Sequence, residues 1–532
     1  MAIDVMTEIS NCLTQKKNFL LSGGAGSGKT YTLIQTLHSV YKSNVNARVA
    51  CITYTNVAAN EIKSRSPYSK LWVSTIHDFL WDNIKGYQKN LVKTVRELVT
   101  NGTMSYSGET PAEQLIFSAV EYKNYRRIED GTISHDDLLK VAEFMFEHHP
   151  LLSKILCDKF DYIFIDEYQD TQKSVANIFL EHIKAKATGR LCLGFFGDKM
   201  QSIYETGIVN IQSYVDSGQV KEIIKTDNYR CSKNVISLLN NIRSDLKQNP
   251  AKKNVDGSIA SIANKDGSAT FLYSDNEFDF DTFKSTAFAT GWDFSDPLKT
   301  KLLFLTHRLI AKRNGWDGIL SAYTNNDMLL GDEPDRLANH LLKLGRIISS
   351  FQQSDYSQVL ASITKKIRTN EDKRGIGTFL NSISTNLIAT IEVVIKQFND
   401  QHILVVDDRL SEYITNNQDR YDQIKVLPVS QILAYYVYYN SFSPYSTQHG
   451  IKGAEFDNVL VVMDNGRWNN YNFKYYFEGA ANKETIISRT ERIFYVCCSR
   501  AMNNLVVYYP SPTAAVIAKA KQIFGNGNVQ KI

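Results

Sequence analysis

The sequence predicts an α/β protein: two lobes built on parallel sheets, the first opening with a glycine-rich loop, each interrupted by a mainly helical insertion. Three observations carry this expectation. Short apolar runs alternate with helical patterns through the first part of the chain, as a parallel sheet requires. A second set of apolar runs appears after the polar, glycine-containing stretch "NPAKKNVDGSIASIANKDGS". Within each half, a long amphipathic-helical stretch separates strand candidates.

In chain order, Phe19–Ser22 is the first strand candidate and feeds a glycine-rich loop. Arg48–Thr53 and Leu71–Thr75 follow as further strands, each after a helical pattern. A helical segment then runs to about Pro150, broken by "NGTMSYSGETP", whose Gly, Ser and Pro punctuate a loop. Strands return at Phe160–Asp166 and Leu191–Asp198. In the second half "ATFLYS", "TKLLFLTH", "HILVVD", "VLVVMD" and "NLVVYYP" read as strands, and Gly315 to Ser430 reads as helix. "SSFQQSDYS" and "TNEDKRGIG" read as loops within that helical stretch. The resulting plan is a first lobe at 1–85 and 156–232 with an insertion at 86–155. A second lobe follows at 233–320 and 436–532, with an insertion at 321–435. Neither an internal repeat nor a low-complexity tail is visible.

Composition narrows the class. A chain of 532 residues has material for large cores and several domains. With 43% hydrophobic and 22% charged residues it reads as globular rather than disordered. The net charge of +4 permits nucleic-acid binding through local patches without arguing for it. The N-terminus lacks a basic segment followed by an apolar one, and no apolar run has the length of a membrane span, so a cytoplasmic protein is expected. The seven cysteines include no C-x-x-C pair and read as reduced, buried residues rather than as a disulfide frame or a zinc site. "EHH" (147–149) and "SHDD" (134–137) lack metal-ligand spacing and read as solvated helix ends. "KNYRR" (123–127) and the basic residues of "KKIRTNEDKR" (365–374) are open to a phosphate contact or a solvated face.

The chemistry begins at "GGAGSGKT", residues Gly23, Gly24, Ala25, Gly26, Ser27, Gly28, Lys29 and Thr30. A strand before and a helix after give this spacing its meaning: backbone N–H groups turn inward around phosphate oxygens, and the helix N-terminus adds partial positive charge. Lys29 then reaches the β/γ phosphates of ATP and Thr30 offers a hydroxyl to Mg²⁺. The second half of such a site is an acid at the end of a buried strand, supplied by "YIFIDEYQD". There Asp166 is expected to hold Mg²⁺, largely through water, and Glu167 to orient and deprotonate the attacking water.

"DEYQDTQ" followed by "GDKMQSIY" resembles motifs II and III of the UvrD/Rep/PcrA-like superfamily 1A DNA helicases. "TYTNVAANEI" resembles their motif Ia, "STIHDFL" their Thr-x-His segment and "DNYRCSKNVI" motif IV. "STQHGIKGAEFDNVLVV" resembles motif V, and "ERIFYVCCSRAMNNLVV" motif VI. The resemblance covers the chain nearly from end to end. It implies two RecA-like lobes, ATP in the cleft between them, single-stranded or tailed DNA across the top, and 3′-to-5′ movement. It also implies roles by position: Gln201 as γ-phosphate sensor, Tyr229 stacked on adenine, Glu455 on the nucleotide side, and Arg230 and Arg500 as arginine fingers. Tyr54, Thr55, His77, Thr447 and His449 fall where the family contacts the strand. A guanidinium fork suits the charge that phosphoryl transfer spreads over oxygens, and an aromatic face suits a sequence-tolerant grip on bases.

Some positions depart from the family. No Q-motif glutamine precedes the first strand, since Gln15 lies too close to the loop. After "QSIY" the base-stacking Trp is missing, with Tyr204 the nearest substitute, and Val57 stands where motif Ia commonly has Lys. The second insertion is shorter than the family's usual arm, and the stretch after motif VI is too short for a RecB-type nuclease. This layout resembles the helicase subunits of two-gene Gabija-type antiphage systems, which work beside an OLD-like nuclease. The competing expectation is a nucleotide-dependent sensor of DNA ends that regulates a nuclease without processive unwinding. A P-loop kinase or GTPase would leave the motif IV and VI arginines unexplained.

Overall fold

The computed structural model describes residues 4–183, 189–203, 211–252 and 265–532. Tyr204 and the following positions of the motif III departure lie outside the described residues. The chain forms two compact units. One comprises the residues up to Gly267 together with Glu491–Ser499, and the other Ser268–Thr490 with Arg500–Ile532.

The first unit is built on a parallel six-stranded sheet: β1 (Asn18–Gly23), β2 (Val49–Thr53), β3 (Leu71–Thr75), β4 (Tyr162–Asp166), β5 (Cys192–Gly197) and β6 (Val220–Lys225). Their order across the sheet is β3-β2-β4-β5-β1-β6. Side chains alternate between faces along a strand. Leu20, Ile52, Ile163, Ile165 and Phe195 accordingly join one apolar cluster, and Phe19, Leu21, Cys51, Phe164 and Phe196 another. Both faces are covered, which is why these strands read as unbroken apolar runs.

The second unit repeats the plan with β7 (Ser268–Ser274), β8 (Thr300–Phe304), β9 (Tyr445–Thr447), β10 (Phe456–Val462), β11 (Ala501–Pro510) and β12 (Val529–Lys531). Its order, β9-β8-β10-β11-β7-β12, is that of the first sheet strand for strand, and again parallel throughout. Two sheets of one topology are two RecA-like lobes. Each sheet is interrupted by helices: Gln88–Thr100 and His135–His148 lie between β3 and β4, and a set from His307 to Tyr439 lies between β8 and β9. The latter set closes its own core around Trp316, Leu341, Leu344 and Phe398.

Two local expectations are corrected. "HILVVD" is not a strand: Ile403 and Leu404 turn into the helical core just after helix Ile391–Asp400, and Asp407 caps the next helix through Leu410 N–H. Apolar content alone cannot tell a buried turn from a strand. "TNEDKRGIG" is not a loop but the start of helix Asn370–Thr385. A capping box between Thr369 and Asp372 launches it, and the buried stripe Ile376, Leu380, Ile383 holds it despite two glycines. The edge strands β6, β9 and β12 are short or polar and carry weak sequence signals. The first unit extends past residue 232 to Gly267, with Arg243 bonding back to Asp198 and Gln248 to Ala25. Among the described residues, no helix is long and apolar enough to cross a membrane.

Candidate active site

Three strands of the first sheet deliver the nucleotide-site candidates at their carboxyl ends, where open α/β sheets bind ligands. The loop after β1 runs into helix Lys29–Ser43 through Gly28, whose φ of 74° lies in the left-handed region. Gly26 has the same φ, and a Cβ there would meet Asn228 Oδ1 and Arg230 Cβ at 2.7 Å. The loop is therefore closed tightly against the motif IV segment. Asn228 Nδ2 donates to Ala25 O (2.9 Å), Tyr229 N–H donates to Gly26 O (2.9 Å), and Gln248 Nε2 adds a second donor to Ala25 O (3.1 Å). Ser27 and Lys29 are buried, and Lys29 Nζ donates to Gly23 O (3.0 Å), inside the turn it is expected to serve.

At the end of β4, Asp166 is 2% exposed and its Oδ2 accepts from Thr30 Oγ1 at 3.0 Å. Burial, reinforced by the Glu167 charge, pushes its carboxyl well above the usual range, against Thr30 and Lys29. A hard divalent cation would offset that cost, and a hydroxyl beside a carboxylate is the donor chemistry Mg²⁺ takes while keeping most of its waters. Thr30 and Asp166 therefore fit Mg²⁺. Glu167 sits at φ 50°, outside the ordinary region for a side-chain-bearing residue, so the turn after the strand is strained. Its carboxylate accepts from Gln169 Nε2, while Gln169 Oε1 accepts from Asp198 N–H (3.0 Å). Gln169 Oε1 lies 2.2 Å from where a Cβ on Gly197 would be, which is why β5 ends in glycine. Gln201 follows that glycine, 5% exposed, with Nε2 donating to Asp198 Oδ2 (3.0 Å).

Tyr229 and Arg230 flank the loop half-buried. Lys225 lies 5.6 Å from the Tyr229 ring and donates to Thr32 Oγ1 (2.7 Å); burial lowers its ammonium to about 8. In the second unit, Arg500 is 1% exposed. Its Nη1 donates to Ala454 O (3.3 Å) and its carbonyl accepts from Phe456 N–H (2.9 Å), which holds it beside the exposed Glu455.

The strand-contact candidates form one group in each unit. Tyr54, Thr55 and His77 line a cavity of about 440 Å³ in the first unit, shared with Tyr122 and His135 from the insertion. Tyr54 is 39% exposed, whereas Thr55 caps helix Asn56–Arg65 through Ala58 N–H. Burial holds His77 down at about 4, helped by His135, whose ring is 5.0 Å away. In the second unit Thr447 is buried, and its hydroxyl accepts from Gly450 N–H (3.1 Å), shaping the turn that carries His449. His449 bonds Tyr471 OH (2.7 Å) and packs 5.2 Å from Trp468.

An AAA domain model matches residues 7–207. Gabija protein GajB of Bacillus cereus is 27% identical over an alignment covering 97% of this chain and 96% of that protein. The ATP-dependent DNA helicase PcrA of Staphylococcus epidermidis is 28% identical over 45% of this chain and 39% of its own length. That of Staphylococcus aureus is 26% identical over the same shares. The chain is a homologue of the UvrD/PcrA-like superfamily 1 helicases.

Reading the helicase motifs alone misses several residues that the fold brings to them. "SHDD" is a helix end with His135 and Asp136 exposed, but Asp137 is buried, bonds Ser134 and pairs with Arg126, and His135 lines the cavity beside His77. Trp468 and Tyr471, in "GRWNNY", pack edge-on or tilted around the motif V histidine, and closely spaced aromatics in an Asn-rich turn were the available signal. Asn228 and Tyr495, inside the motif IV and VI strings but given no role there, and Arg243 and Gln248, outside any motif, are buried against the loop network. The seven cysteines are buried and in no disulfide, Cys497 and Cys498 included.

Proposed function

We propose that this chain is an ATP-dependent single-stranded-DNA translocase and helicase that serves as the helicase component of a bacterial antiviral defence complex. The observation that carries the reading is the meeting of Lys29, Thr30 and Asp166 at the carboxyl ends of β1 and β4, with Glu167 next in chain. In this reading Lys29 and the loop N–H groups hold the phosphates of ATP, and Glu167 takes the proton of the attacking water. Gln201 senses the γ-phosphate, and Arg230 and Arg500 neutralise its charge. Thr30 and Asp166 would hold Mg²⁺, largely through water, and the ion would supply neutralisation of phosphate charge. Tyr54, Thr55, His77, Thr447 and His449 contact the DNA strand, along which the protein moves 3′-to-5′. Likeness to GajB over nearly the whole of both chains supports the Gabija antiviral context; a cytoplasmic location and a nuclease partner of the OLD-like kind belong to the same proposal.

The test is ATP hydrolysis with and without single-stranded DNA, alongside separation of a 3′-tailed duplex. DNA-stimulated hydrolysis with strand separation is expected. Hydrolysis that ignores DNA would sink the proposal. The second reading, a sensor of DNA ends that regulates its nuclease, is favoured by the missing Trp after "QSIY". One stack fewer weakens the grip on single strands, leaving phosphate contacts and steep salt dependence to dominate. DNA-stimulated hydrolysis without strand separation would select it.

A further inference from the structure

Arg243 closes helix Lys233–Ile242, outside every motif, and its side chain is 2% exposed. Nη1 donates to Asp198 Oδ2 (3.1 Å) and Nη2 lies 3.0 Å from Asp198 Oδ1. Nε and Nη2 fork onto Asp245 (2.8 and 2.9 Å). Nη1 also donates to Tyr495 OH (2.9 Å), with the guanidinium 5.0 Å from that ring. Burying a charge in this way is no cheaper than an apolar contact of equal volume, so stability alone does not explain it.

Its partners do. Asp198 Oδ2, which accepts from Arg243, also accepts from Gln201 Nε2. The Tyr495 hydroxyl, which accepts from Arg243, also accepts from Ala25 N–H of the phosphate loop (3.1 Å). One guanidinium thus holds the group that orients Gln201 and the group that anchors the loop. A carboxamide has two near-isosteric orientations, and a partner that accepts but cannot donate selects the one with the NH₂ end toward it. With Asp198 held in place by Arg243, the NH₂ end of Gln201 points to Asp198 and its carbonyl points the other way.

We propose that Arg243 is a positioning residue for ATP turnover: through Asp198 it sets the orientation of Gln201, and through Tyr495 it ties that residue to the phosphate loop. This rests on the active-site reading above. The test is DNA-stimulated kcat and affinity for a fluorescent ATP analogue, measured on the full chain. Arg243→Gln is expected to lower kcat about a hundredfold, the scale of a misplaced catalytic group, with nucleotide affinity within about threefold of wild type. Arg243→Lys, which keeps the charge but not the fork, is expected to recover part of that loss. The near-isosteric Asp198→Asn keeps the fold and is expected to lower kcat at least about tenfold, again with affinity preserved. Wild-type kcat in Arg243→Gln or Asp198→Asn overturns the proposal, as does parallel loss of kcat and affinity in both. Glu167→Gln is the control: if it still turns over ATP, the active-site reading fails. If it does not while Arg243→Gln equals wild type, only the role of Arg243 fails.

Discussion

Asn228→Ala tests how far the phosphate loop depends on the motif IV strap. Asn228 is fully buried, and its side chain makes four hydrogen bonds. Nδ2 donates to Ala25 O and to Gln248 Oε1 (3.3 Å), and Oδ1 accepts from Arg230 N–H and Cys231 N–H (2.9 Å each). The substitution leaves the Cys231 N–H buried without that acceptor and Arg230 N–H in the same position at a half-buried site. An orphaned buried donor costs about 1–3 kcal/mol, whereas Ala25 O keeps Gln248 and loses less, so the total is on the order of 3 kcal/mol. If nucleotide binding must restore the closed loop, that cost appears as roughly a hundredfold weaker binding. Gln248→Ala removes the second donor to Ala25 O and the long bond from Asn228 Nδ2, which keeps Ala25 O as acceptor, and should cost about 1 kcal/mol, roughly fivefold. Titration with a fluorescent ATP analogue, with a urea melt run on each variant, measures both. Binding by Asn228→Ala within about threefold of wild type, or equal losses in the two variants, would refute the strap as the element that shapes the loop.

Lys29→Ala should abolish turnover and weaken nucleotide binding, whereas Glu167→Gln should abolish turnover and leave ATP bound. Calorimetric titration beside a phosphate-release assay separates them, and near-normal hydrolysis by Glu167→Gln would move the water-orienting role elsewhere. Arg500→Ala and Arg230→Ala should keep nucleotide binding and lose roughly 10³-fold in DNA-stimulated kcat; full turnover in either would remove that arginine from the finger role. His77 is held neutral by burial at about 4, against an unfolded value near 6.5, so the unfolded chain binds more protons between those limits. Stability should therefore fall as pH drops from about 6.5 to about 4, by up to on the order of 3 kcal/mol, with His135, Asp78 and Asp136 as its charged or titratable neighbours. A His77→Gln melting profile that falls just as steeply over that range would assign the loss to another group.

What the sequence determined by itself is what depends on neighbours in the chain. The turn from β1 through Gly28 to Lys29 is local, because glycine φ and a helix N-terminus are properties of a few consecutive residues. The apolar run ending in Asp166 is equally legible, since a strand covered on both faces needs no polar position. Partnerships across the fold were not legible. Nothing near Arg243 in sequence announces Asp198, and nothing near Ala25 announces Tyr495, yet a hydroxyl and a guanidinium join them inside one unit. "HILVVD" and "TNEDKRGIG" misled for the same reason. Whether Ile403 extends or turns, and whether Ile376 tolerates glycine on both sides, is decided by the helical core each residue enters. Local pattern sets backbone preference at about a kcal/mol or less per residue, and burial of a large apolar side chain, worth about 1.5–3 kcal/mol, overrules it.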